Sequence, residues 1–76
     1  MKVYVVIESV REYPYDTSIL GVFNANTTSE NDIKAFIYNY IKEDCFGGEE
    51  PNEIDFYDGT YDNGSVVVDY TIEEVQ

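Results

Sequence analysis

The sequence predicts an α+β domain in which a four-stranded antiparallel sheet carries one helix on one face, in the order ββαββ. Four segments are rich in β-branched and aromatic residues, and one central segment repeats apolar residues with a helical period. Asn63-Gly64 adds a strong hairpin signal near the end of the chain. With 76 residues, the chain is expected to form a single domain over residues 1–76.

The first two strands are predicted at residues 2–9 and 18–24, with the sequences KVYVVIES and SILGVFN. The connection between them is polar and contains Pro14, so a loop is expected there. Gly21 interrupts the second strand and indicates either a bulge or a closely packed position. We expect the two strands to pair antiparallel.

The helix is predicted to begin within residues 26–29 and to end near Cys45, because two glycines and a proline follow. Two pairs fit a capping box in alternative registers: Thr27 with Glu30, and Ser29 with Asp32. The apolar stripe of the helix consists of Ile33, Phe36, Ile37, Tyr40 and Ile41. This stripe is expected to pack on the sheet.

The last two strands are predicted at residues 53–60 and 65–72, joined by a type I′ turn at Asn63-Gly64. Alternation predicts that one face of this hairpin is covered by the helix and holds Ile54, Phe56, Val66, Val68, Tyr70 and Ile72. The opposite face is predicted to hold Glu53, Asp55, Tyr57, Val67, Asp69, Thr71 and Glu73.

The charge of the chain is one-sided. The net charge is −12, and the 34 residues after Lys42 contain eleven acids and no base. Negative charges at this density repel one another and lower the stability of the folded chain, so the first functional expectation is a basic binding partner. Solubility alone is the other explanation for an acidic surface. Direct binding to nucleic acid or to an anionic membrane is not expected, because both are negatively charged.

The cellular context is predicted from cysteine use and from the start of the chain. Cys45 is the single cysteine, so no intramolecular disulfide forms. Met1 and Lys2 lead directly into a strand pattern, with no signal-peptide pattern, and the apolar runs are too short to span a bilayer. A cytoplasmic protein is therefore expected.

The residues required for common catalytic chemistry are missing. The chain has no histidine, which excludes Ser-His-Asp catalysis and His-containing zinc sites. Cys45 follows Glu43 and Asp44, which should raise its pKa, and a structural, half-buried thiol is expected. Residues 58–64 lack the liganding pattern of a calcium loop. We expect no catalytic residue, no metal site, no cofactor and no enzymatic activity.

Rows of carboxylates along a strand resemble the phosphates of one nucleic-acid strand in charge and spacing, since two strand residues advance about 6.6 Å. The predicted partner is a basic nucleic-acid-binding protein whose groove these acids would occupy. The acids predicted to bind it are Glu49, Glu50, Glu53, Asp55, Asp58, Asp62, Asp69 and Glu73. Tyr57 and Tyr61 are predicted to be exposed anchors.

A second function class is a small structural or assembly subunit that forms a homodimer. An apolar strip rimmed by acids could form on the outer sheet face from Tyr4, Val6, one of Leu20 and Val22, Tyr57 and Val67. The acidity would then serve solubility. The sequence leaves open whether the faces of the first strand are instead reversed, which would place part of this strip in the core.

The segments KVYVVIES and SILGVFN and the capped amphipathic helix after them resemble a recurrent type of small acidic protein encoded by phages and mobile elements. The resemblance covers residues 2–45 by pattern and the rest by acidity. Proteins of this type include inhibitors of host defence nucleases, among them anti-CRISPR and anti-restriction proteins, and several resemble nucleic acid in surface charge. The resemblance implies an inhibitory binding protein acting in the host cytoplasm, and assigns no site residue.

Overall fold

The computed structural model describes residues 1–51 and 55–75, and in them one helix packs on one antiparallel sheet. The elements are β1 (Lys2–Val10), β2 (Asp16–Asn24), α1 (Glu30–Cys45), β3 (Phe56–Tyr57), β4 (Thr60–Asp62) and β5 (Val66–Glu74). The sheet order is β2-β1-β5-β4-β3. The α+β class is confirmed, but the sheet has five strands where four were predicted. Glu53 and Ile54, predicted to begin the third strand, lie outside the described residues.

The helix begins in the second of the two predicted capping registers. The Asp32 N–H donates to Ser29 Oγ (3.2 Å), and the Ser29 N–H donates to Asp32 Oδ2 (3.1 Å), so two N–H groups at the helix start are satisfied. Ile33, Ile37 and Ile41 are each 0% exposed. The predicted stripe and the predicted end at Cys45 are therefore confirmed.

The core lies between α1 and one face of the sheet. The three helix isoleucines meet buried sheet residues from β1, β4 and β5, namely Tyr4, Val6, Tyr61 and Val68. Val3 and Val67 are also buried, at 7% and 6% exposure, but they do not belong to this cluster. Within residues 1–51 and 55–75, no helix combines the length and the apolar character that crossing a bilayer requires.

The predicted outer strip is wrong on β1. Tyr4 and Val6 are 8% and 0% exposed and belong to the core under α1. Both faces of the first strand are apolar, so alternation alone does not show which face the helix covers. The pairing of β1 with β5 shows which face is covered, because Val6 lies opposite Tyr70 on the helix-covered side. The reversed assignment of β1 is therefore the one observed.

Strand β2 carries the bulge predicted at Gly21. Its register against β1 shifts between Val6, which pairs with Gly21, and Ile7, which pairs with Ile19, so Leu20 is the extra residue. Gly21 is also closely packed, because a Cβ there would lie 2.8 Å from Cε2 of Phe23. Both interpretations offered for this glycine are therefore correct.

The predicted third strand is instead a short hairpin. β3 and β4 are joined by Asp58-Gly59, and their φ angles of 52° and 77° are those of a type I′ turn. The type I′ turn predicted at Asn63-Gly64 is wrong. Only Gly64 of this pair has a positive φ. Residues 63–65 connect β4 to β5, and Asn63 Oδ1 accepts from the N–H groups of Ser65 (2.9 Å) and Val66 (2.8 Å).

Gly59, in the turn between β3 and β4, is expected to tolerate substitution less well than Gly64, in the connection between β4 and β5. The φ of Gly59 is +77°, and an added Cβ would overlap the Lys34 side chain, most closely at Cγ. We expect Gly59→Ala to lower the free energy of unfolding by about 2 kcal/mol, since backbone strain and a steric overlap add. Gly64→Ala is the matched control, with φ +92° and no atom within 4 Å of the added Cβ. It should cost about 1 kcal/mol. Equal losses in urea denaturation would contradict this account.

Candidate partner-binding surface

The sheet face opposite α1, here called the open face, is not covered by the helix. Strand pairing and alternation assign its residues: Val3, Val5, Ile7 and Ser9 of β1; Thr17, Ile19, Val22 and Asn24 of β2; Tyr57 of β3; Thr60 and Asp62 of β4; Val67, Asp69, Thr71 and Glu73 of β5. This face divides by chemistry along the strand order. Residues from β1 and β2 are mainly apolar, whereas the carboxylates come from β4 and β5.

The acidic half of the open face is defined by Asp62, Asp69 and Glu73, together with Tyr57 of β3, which pairs with Thr60 of β4. Asp69 and Glu73 are four residues apart on β5, so their side chains are separated by about 13 Å along the strand. Asp62 lies opposite Val67 and therefore diagonally across from Asp69, at about 7–8 Å. These four residues are the members of the predicted set that the structure places on one surface.

One basic side chain reaches the acidic half. Arg11 Nη1 lies 3.6 Å from Asp62 Oδ2, and the Arg11 side chain is 58% exposed. An exposed ion pair of this kind contributes little to stability. Lys34 and Lys42 belong to the helix, and Lys2 lies on the helix-covered side of β1. Asp69 and Glu73 therefore lie on a part of the surface where lysine does not offset their charge.

The other predicted acids lie elsewhere. Glu49 and Glu50 are exposed in the segment after α1, and Asp55 precedes β3. Asp58 occupies the β3–β4 turn and lies near Tyr70 on the helix-covered side, where its charge contributes to raising the pKa of that phenol. The predicted acids therefore do not line one continuous row.

The two predicted tyrosine anchors have opposite environments. Tyr57 is 59% exposed on the open face, as an anchor requires. Tyr61 is 1% exposed and contacts Phe56, with ring centroids 5.1 Å apart, so the prediction of an exposed Tyr61 is wrong. The error follows from the strand: Tyr61 is the middle residue of the three-residue β4, where it pairs with Val68 and its side chain lies in the core under α1.

Two tyrosine–glutamate pairs link the helix to the sheet. Tyr40 Oη donates to Glu8 Oε2 and Tyr70 Oη donates to Glu30 Oε1, both at 2.8 Å. Burial, followed by the hydrogen bond to Glu30, raises the pKa of Tyr70 to about 12. Burial and the hydrogen bond to Glu8 likewise raise the pKa of Tyr40. Both phenols must therefore stay protonated for these contacts to persist.

Stability is expected to fall at alkaline pH because of these two phenols. Their folded-state pKa values exceed the ordinary value of 10.0, so the unfolded chain loses protons first as the pH rises. The contribution of the two protonated phenols to the free energy of unfolding is fully present below pH 10 and is lost progressively toward pH 12 and above. In urea denaturation, Tyr70→Phe should make this decline shallower. Tyr13→Phe, at a residue 89% exposed, is the control and should retain the wild-type slope. An identical slope in Tyr70→Phe would contradict the assignment.

Cys45 shows no sign of nucleophilic activation. Its side chain is exposed rather than half-buried as predicted. Partial desolvation of the sulfur, followed by the charges of Glu8 and Asp44, raises the pKa of the thiol. The direction agrees with the prediction, although the second carboxylate is Glu8 of β1 and not Glu43. The thiol is therefore mainly protonated at neutral pH.

The apolar half of the open face, defined as Val3, Val5, Ile7, Ile19 and Val22, was only partly anticipated. Ile19 and Val22 on the edge strand are 65% and 59% exposed. The prediction offered Leu20 and Val22 as alternatives, of which Val22 is the one on this face, and it missed Ile19 because the bulge at Leu20 breaks simple alternation. Tyr13 and Tyr15, in the connection between β1 and β2, are a further exposed aromatic pair, at 89% and 73% exposure.

No cluster of three or more potential metal ligands occurs among residues 1–51 and 55–75. The same part of the chain encloses no cavity large enough to hold a ligand. The open face offers carboxylates as acceptors and tyrosine and aliphatic side chains as contact area. Comparisons with protein-family models, curated protein sequences and solved structures gave no match.

Proposed function

We propose that this protein is a non-enzymatic binding protein that occupies the basic groove of a nucleic-acid-binding protein, such as a host defence nuclease, and thereby inhibits or modulates it. The observation that supports the proposal is the acidic half of the open face. There, Asp69 and Glu73 extend along β5, and Tyr57 is exposed on the same face two strands away, in β3.

The acidic half has the chemistry that such a groove selects. Lysine and arginine side chains that bind phosphates also form charge-assisted hydrogen bonds with carboxylates. The 13 Å or so between Asp69 and Glu73 corresponds to about four phosphate steps along one strand of a duplex. A groove that binds consecutive phosphates would therefore hold lysine and arginine side chains at a spacing that two carboxylates on one β-strand can match.

The net charge of −12 supplies the long-range part of the proposed interaction. Opposite charge on the partner would accelerate encounter by steering, and this acceleration falls as salt screens the field. The acids of the segment after α1, Glu49 and Glu50, would contribute through this field rather than through contact.

The proposal is tested by affinity capture followed by competition. Tagged protein is exposed to lysate at low salt, and bound proteins are eluted with a salt step and identified. Each captured protein is then assayed for binding to a duplex oligonucleotide, with and without the acidic protein. The expected result is a basic nucleic-acid-binding protein whose oligonucleotide is displaced.

Two outcomes would count against the proposal. If a captured partner binds the oligonucleotide and the acidic protein at the same time, the acidic protein does not occupy the nucleic-acid groove of that partner. A complex whose affinity is unchanged in 0.5 M salt, where the Debye length is roughly 4 Å, would not depend on the carboxylates.

A further inference from the structure

The outer edge of β2 is the longest free strand edge in the described chain. β2 ends the sheet, spans nine residues and pairs only with β1 among the described strands. On the opposite side, β3 has two residues and β4 has three, so among the described strands β5 is also unpaired on that side from Asp69 to Glu74. That six-residue edge carries the acids Asp69, Glu73 and Glu74, and short or charged edge strands avoid pairing with other chains. β2 also lacks the lysine and proline residues that commonly protect an edge.

A bulge is another device that protects edges, but here it leaves β2 complementary to itself. The helix-covered side of β2 holds Asp16, Ser18, Leu20, Gly21 and Phe23, and the open side holds Thr17, Ile19, Val22 and Asn24. Over residues 17–24, this pattern is symmetric about the Leu20–Gly21 peptide bond. An antiparallel copy centred there would therefore match faces at every position, with Ile19 opposite the second copy's Val22.

The charge distribution favours this edge over the open face as a contact between copies. β2 carries one acid, Asp16, which lies just outside the symmetric stretch. Edge pairing would separate the β5 strands of the two copies by five strand spacings, about 24 Å, well beyond the Debye length of about 8 Å at physiological salt. Stacking the open faces would instead enclose both sets of Asp62, Asp69 and Glu73 in one interface, whose two layers lie about 10 Å apart.

We infer that two copies of this protein associate through antiparallel pairing of β2 with β2, forming one continuous sheet across the dimer. Backbone hydrogen bonds along the edge and the Ile19–Val22 contacts, made twice by symmetry, hold the copies together. The acidic half of each copy remains accessible. Because the net charges still repel, association of the copies strengthens as salt rises, whereas binding to a basic partner weakens. The dimer is independent of the proposed function.

The test is sedimentation velocity over micromolar to submillimolar concentrations, at low and at physiological salt. We expect a monomer–dimer equilibrium that tightens with salt. Ile19→Lys and Val22→Glu should each weaken the dimer at least ten-fold. The double variant Ile19→Lys/Val22→Glu should restore it, because the register places the introduced lysine of one copy opposite the introduced glutamate of the other. Ile72→Lys on β5, at a residue 53% exposed, is the control and should dimerise like the wild type.

A monomer at every concentration and salt would overturn the inference, as would single variants that dimerise like the wild type. Failure of the double variant to recover would overturn the proposed register. Circular dichroism and thermal unfolding of each variant separate loss of association from loss of fold. Since Ile19 and Val22 are already exposed, the single substitutions are expected to leave the fold intact.

Discussion

Replacing Tyr61 with alanine is expected to lower the free energy of unfolding by about 3–5 kcal/mol. The ring is 1% exposed and lies between α1 and the sheet, with Phe46 and Phe56 at centroid distances of 6.5 Å and 5.1 Å. A chain of 76 residues has a total stability of about 4–11 kcal/mol. The substitution would therefore remove a large part of it, as measured by urea denaturation followed by circular dichroism.

Tyr57 provides a matched control for this prediction, because it belongs to the same short hairpin. Its side chain is 59% exposed on the open face, and Tyr57→Ala should change the free energy of unfolding by less than about 0.5 kcal/mol. Tyr61→Phe further separates the ring from the hydroxyl, which accepts from Asn63 Nδ2 at 3.1 Å, and should cost about 1 kcal/mol. Similar losses for Tyr61→Ala and Tyr57→Ala would contradict the placement of β4.

Neutralising Asp69 and Glu73 together is expected to weaken binding to the captured partner roughly 100-fold. Each carboxylate is proposed to accept a charge-assisted hydrogen bond worth about 1.5 kcal/mol, and two such losses correspond to about two orders of magnitude in Kd. The variant is Asp69→Asn/Glu73→Gln, and the measurement is calorimetry or surface plasmon resonance at low salt. Asp62 is left in place because its replacement would also free Arg11.

The control for net charge is Glu43→Gln/Asp44→Asn, which removes two charges from the exposed end of α1. It should reduce the association rate slightly through the weaker field and leave the dissociation rate unchanged. Equal losses in the two double variants would mean that net charge alone governs binding and that the open face has no special role. Thermal unfolding should show the Asp69→Asn/Glu73→Gln protein to be at least as stable as the wild type, since repulsion is reduced.

The helix and the long strands were predictable because their signals are local. The stripe that includes Ile33 and Ile37 satisfies one helical period, and Ser29 with Asp32 is a recognisable capping pair. The short hairpin was missed although Asp58-Gly59 is a turn signal as clear as Asn63-Gly64. When two such signals lie five residues apart, the sequence does not show that both are turns.

The candidate site was predictable only in part, for a related reason. Asp69 and Glu73 were assigned correctly to the open face, because β5 alternates cleanly and Val68 is fully buried. Tyr61 was assigned to the surface because the turn was placed beside it. Ile19 was missed because a bulge shifts its side chain to the open face, and a bulge changes alternation without any fixed residue signature.

The sequence by itself determined the charge, the α+β class, the capped helix and the alternation along β5, since each depends on composition or on residues close together in the chain. Only the tertiary structure decided which face of β1 lies under the helix and which strand is left as a long free edge. Those outcomes depend on pairing between distant segments, above all β1 with β5. When both faces of a strand are apolar, its partners decide which face is buried.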